Sequence, residues 1–75
     1  MTLLPNKHIP LRSSLLGVGA YILERLDRPS SISGLWDRCR HSEDVASFER
    51  FIIALDLLFA LGALKLEDSL LVRAQ

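Results

Sequence analysis

One cysteine, Cys39, and two histidines, His8 and His41, are the side chains in this 75-residue chain best suited to hold a metal or attack a substrate. Cys39 and His41 stand at i, i+2, while His8 lies in a separate segment. A zinc site takes at least three protein ligands, and this pair supplies two. A nucleophilic cysteine also needs a base and a group to orient that base, and no such third residue stands nearby. Glu43-Asp44 and Glu67-Asp68 are adjacent carboxylates in polar turns, the pattern of solvated turn residues. Gly17-Val18-Gly19 lacks the third glycine of a dinucleotide loop and the Lys-Ser/Thr ending of a phosphate loop. We expect no enzymatic activity, no metal and no cofactor. What is left to carry function is surface.

The elements that present this surface follow from period and punctuation. Residues 1–12, MTLLPNKHIPLR, hold two prolines and no helical period, and read as an extended, locally basic arm. Residues 13–75 read as the folded domain. Ser13 or Ser14 caps a first helix running to about Asp27, with Leu15, Leu16, Val18, Gly19, Ile22, Leu23 and Leu26 on its apolar arc and Tyr21 opposite. A very short strand is expected at Ser30–Ile32. Ser33 then caps a second helix, Gly34 to about His41, which offers Leu35, Trp36 and Cys39 to the core. A polar turn follows with Val45 tucked inward. Ser47 caps a third helix, Phe48–Leu61, closed by Gly62 in a left-handed conformation. Its expected core arc is Phe48, Phe51, Ile52, Leu55, Leu58 and Phe59. From Ala63 the period becomes two, which predicts a hairpin turning at Glu67-Asp68-Ser69. The fold class is mainly α with a small β-hairpin. The order helix, short strand, helix, helix, hairpin is that of a winged helix-turn-helix.

Composition bounds the function further. The chain is 49% hydrophobic with nine Lys and Arg against nine Asp and Glu, a net charge of zero. A body this small cannot hide that much apolar surface, so part of it is expected to face a partner or a second copy. Zero net charge gives no global pull toward nucleic acid. A lone cysteine excludes an intramolecular disulfide, no apolar run reaches the roughly 18 residues of a membrane span, and no signal peptide is evident; a cytoplasmic protein is expected.

The outward face of the third helix is the most telling surface. A DNA-reading winged helix carries Arg, Lys, Asn, Gln or Ser there, to meet phosphates and base edges. This chain puts Glu49, Arg50, Ile53, Asp56, Leu57, Ala60 and Leu61 on that face. Asp56 would lie against phosphate, and Ile53 and Leu57 offer DNA little. We expect Glu49, Arg50, Ile53, Leu57 and Leu61 to meet a protein; burial of this face under the hairpin and arm is the alternative within one chain. Arg38 and Arg40 end the second helix, where cations suit the helix dipole. They are candidates for a weak, unspecific contact with a DNA backbone.

The stretches LLPNKHIPLRSSLLGVGAYIL, SISGLWDRCR and SFERFIIALDLLFALGALKLED together resemble the middle component 6 family of bacterial ABC-three-component systems. The similarity runs over nearly the whole chain, and LPNKHIP leading into SLLGVGA is its distinctive part. The resemblance implies a small adaptor, without activity of its own, that links an ABC-type ATPase of the SMC and Rad50-like group to an effector. It also implies a role in anti-phage or anti-plasmid defence. It marks the arm, Leu4, Pro5, Asn6, Lys7, His8, Ile9 and Pro10, as a partner contact. Two other readings stay open: a dimeric winged-helix DNA-binding regulator, and a homodimerisation module joined through the third helix and hairpin.

Overall fold

A computed structural model describes residues 14–74, and the arm residues Pro5, Asn6, Lys7, His8 and Ile9 lie outside them. The described chain runs α1 (Leu15–Arg25), α2 (Ile32–Cys39), α3 (Phe48–Ala60), β1 (Leu64–Glu67) and β2 (Leu70–Arg73). It is mainly helical with a two-stranded antiparallel hairpin, as its periods predict.

Each helix starts on a serine whose side chain satisfies an otherwise unpaired backbone N–H. Gly17 N–H donates to Ser14 Oγ at 3.1 Å, Gly34 N–H to Ser31 Oγ at 3.0 Å, and Arg50 N–H to Ser47 Oγ at 3.1 Å. Ser31, not Ser33, is therefore the cap of α2, and α2 starts two residues before the expected Gly34. The strand expected at Ser30–Ile32 contracts to a single bridge, in which Ser30 and Leu71 exchange both backbone hydrogen bonds at 3.1 and 2.7 Å. Ile32 cannot extend it because the helix has already begun. At the other boundary, α1 stops at Arg25 rather than Asp27, and Leu26 turns out of the helix with ψ 71° while staying buried.

The core gathers Val18, Ile22 and Leu26 from α1, Leu35 and Cys39 from α2, Val45 from the turn, Phe51, Ala54, Leu55 and Leu58 from α3, and Leu64 and Leu71 from the hairpin. Leu16, expected inside, is 59% exposed, whereas Tyr21 is half-buried against the core with Arg25 Cζ 4.3 Å from its ring centroid. Helix α3 departs further from expectation. Phe48 and Phe59, assigned to the core arc, are 49% and 36% exposed, and Ala54, assigned nowhere, is fully buried. The cause is a close approach of α1 to α3. A Cβ on Gly19 would stand 3.0 Å from Leu58 Cδ2. The absence of a side chain at Gly19 lets Leu58 of α3 pack directly on α1, and with Ala54 turned inward the two phenylalanines of α3 sit at the rim.

Gly62 takes φ 78° just past α3, as its place in the sequence requires. The hairpin pairs Leu64 with Arg73 through Glu67 with Leu70, so its turn is the two residues Asp68 and Ser69. Both have positive φ, 55° and 67°, the backbone of a type I′ turn.

A candidate protein-docking surface

Successive residues of a helix advance by about 100°, so the four buried positions of α3 fix where every other side chain points. With Phe51, Ala54, Leu55 and Leu58 inward, Glu49, Asp56 and Ala60 form the outermost line. Apolar shoulders lie on both sides of it. One is Ile53, Leu57 and Leu61, of which Ile53 is 45% exposed, Leu61 61% exposed and Leu57 half-buried. The hairpin leaves this shoulder open. The other is Phe48, Ile52 and Phe59. Phe48 is anchored there by an edge-on contact with Trp36, ring centroids 5.2 Å apart, and by Phe51 at 5.9 Å.

The first turn of α3 is set firmly. Ser47 caps it, Glu49 places a carboxylate near the positive end of the helix dipole, and Arg50 Nε donates to the Asp44 carbonyl at 3.4 Å. Arg50 is thus held against the α2–α3 turn at the edge of the face, while Glu49 is exposed. Of the five α3 residues expected to meet a protein, Ile53, Leu57 and Leu61 share one shoulder with Arg50 beside them, and Glu49 lies on the outermost line with Asp56. The second shoulder escaped the sequence reading. Its signal was Gly19, which lets Leu58 approach α1 closely.

The two arginines of α2 have different surroundings. Arg38 Nη1 donates to the Arg25 carbonyl at 3.0 Å and to Asp27 Oδ1 at 3.3 Å, and Nη2 donates to Ser30 Oγ at 2.7 Å. Its guanidinium ties the end of α1, the connecting segment and α2 together, which leaves it few donors for a phosphate. Arg40 is more open, with an ion pair to Asp37 at 3.8 Å.

Cys39 is fully buried, and burial pushes its thiol pKa up against a weaker opposing pull from Arg25 and Arg38. Its neighbour in sequence, His41, is exposed. No group of three metal-ligating side chains exists among the described residues, and no helix among them is long and apolar enough to cross a membrane. The arrangement offers apolar contact area flanked by charge.

The model of one protein family, ABC-three component (ABC-3C) system Middle Component 6, matches residues 4–75. No curated protein and no solved structure matches the chain.

Proposed function

This chain belongs to the Middle Component 6 family of ABC-three component systems, and from that membership we propose that it is a non-catalytic adaptor joining an ABC-type, SMC-like ATPase to an effector in a bacterial defence complex of the cytoplasm. The fold we assign to that adaptor is a winged helix-turn-helix. The element order supports it, and so does the Ser30–Leu71 bridge, which sets a third backbone line beside the hairpin.

The observation that carries the proposal is the open shoulder of α3. Ile53 and Leu61 stand 45% and 61% exposed beside a half-buried Leu57, next to a core that is already filled. Fully burying a large aliphatic contributes about 1.5–3 kcal/mol, and these three, already partly covered, have roughly half of that each still to gain, enough in one row to anchor a protein partner. Arg50, Glu49 and Asp56 supply a charged rim around it. The arm, Pro5 to Ile9, is proposed as a second contact on the strength of the family motif alone. DNA readout through this face is disfavoured by Glu49 and Asp56 on its outermost line.

The test is to co-express this chain with the ATPase and effector of its system and purify through a tag on the ATPase. The expected result is a complex of all three, from which the effector is lost when this chain is left out. An ATPase and effector that stay together without it would overturn the adaptor reading. Tight binding of the isolated chain to one defined duplex at physiological salt would replace it with the regulator, since few phosphates can be neutralised here and salt should dissociate any unspecific complex.

A further inference from the structure

Among the described residues nothing pairs with the outer edge of strand β1, and the chemistry of that edge is complementary to itself. In the hairpin, Leu66 stands opposite Leu71. Leu71 spends its own N–H and C=O on Ser30, on the side away from β1. The Leu66–Leu71 pair is therefore of the non-hydrogen-bonded kind, and the N–H and C=O of Leu66 point outward from β1. The side chain of Leu66 lies on the same face as buried Leu64 and Leu71, yet it is 57% exposed. On either side of it stand Lys65 and Glu67, both exposed, with Lys65 Nζ 3.1 Å from Glu67 Oε2.

We propose that this edge pairs with the β1 edge of a second copy of the chain, antiparallel about a twofold axis through Leu66. In that register the two Leu66 residues exchange both backbone hydrogen bonds, as their outward groups require. Lys65 of each copy falls opposite Glu67 of the other, so the charge pair now formed within one strand is formed twice between strands. The two Leu66 side chains meet on the core side and cover each other. A single-chain edge with one cation, one anion and an apolar residue between them is complementary to itself only in this antiparallel arrangement. The contact is a short one, so association is weak and concentration-dependent.

The register predicts a complementation experiment. Sedimentation velocity of the full chain at low salt and rising concentration should show the wild type moving from one chain toward two. Lys65→Glu places two glutamates opposite two glutamates, and Glu67→Lys places two lysines opposite two lysines. Each variant alone should associate at least tenfold more weakly than the wild type. Mixed in equal amounts they should form a heterodimer at least as tight as the wild-type dimer, because every cross-strand pair is then opposite in charge. Leu66→Pro removes the outward N–H, which an edge strand tolerates in the folded monomer, and should abolish association while circular dichroism stays unchanged. A wild type that remains one chain at all concentrations would overturn the proposal and leave the edge to a strand of another protein. Single variants that associate like the wild type, or a mixture no tighter than either alone, would overturn it as well.

Discussion

Arg38 reaches from α2 to the last carbonyl of α1, to Asp27 and to the hydroxyl of buried Ser30, so its loss should be felt as stability. Hydrogen bonds from a charged donor contribute about 1.5–3 kcal/mol when well sheltered, and a third of this side chain still sees water. Arg38→Met is expected to cost about 1–2 kcal/mol in urea unfolding, and Arg40→Met no more than about 0.5 kcal/mol. Equal costs would mean that the Arg38 contacts contribute nothing. Cys39 gives a second prediction at this scale. Burial raises its pKa, so the unfolded thiol ionises at lower pH than the folded one. Its contribution to stability is therefore intact below the ordinary thiol range and declines as pH climbs through it. Cys39→Ala should flatten that decline, and labelling of the native thiol by a disulfide reagent should run roughly a hundredfold or more slower than in denaturant. Native labelling as fast as in the unfolded chain would contradict the burial.

At the scale of elements, two segments hold non-glycine residues in left-handed conformations. Ala46 has φ 72° immediately before the α3 cap, and the hairpin turn sets Asp68 and Ser69 at positive φ. Left-handed backbone costs a residue with a Cβ about 1–2 kcal/mol. Ala46→Gly and replacement of Asp68-Ser69 by Asn-Gly should each raise the thermal midpoint by a few degrees, on the order of 1 kcal/mol. A fall in either case would mean that the turn geometry differs from the one described. The hairpin itself was legible from the alternation after Ala63, and the α3 boundaries from Ser47 and Gly62. The roll of α3 was not. A helix apolar on nearly all sides has no unique inward face, and its orientation is set by which neighbour can approach closest. That depended on Gly19 meeting Leu58, a contact between residues far apart in sequence. The start of α2 differs from the expected Gly34 for a related reason. Ser30, Ser31 and Ser33 are all cap-forming residues, and the pairing of Ser30 with Leu71 selected Ser31 among them.

At the scale of the whole molecule, inward and outward apolar residues do different work, the first holding the fold and the second offering contact area. The outward ones were legible as composition, since 49% hydrophobic residues exceed what a domain of this size buries, and the family motifs were legible directly. The shoulder of Ile53, Leu57 and Leu61 was legible from the helical period of α3, whereas the second one, Phe48, Ile52 and Phe59, became readable only from the fold. Far-ultraviolet circular dichroism of the isolated chain should be dominated by helix with a minor β contribution, and a strand-dominated spectrum would contradict the architecture itself. The most direct test of the central claim compares Ile53→Asp with Leu55→Asp, residues two apart on α3 that are 45% and 3% exposed. Both should be measured for thermal unfolding as isolated chains and for retention by the other components of the system. The account predicts that Ile53→Asp folds with a midpoint near that of the wild type and loses its partner, while Leu55→Asp fails to fold. An Ile53→Asp chain that folds and still binds its partner fully would contradict it.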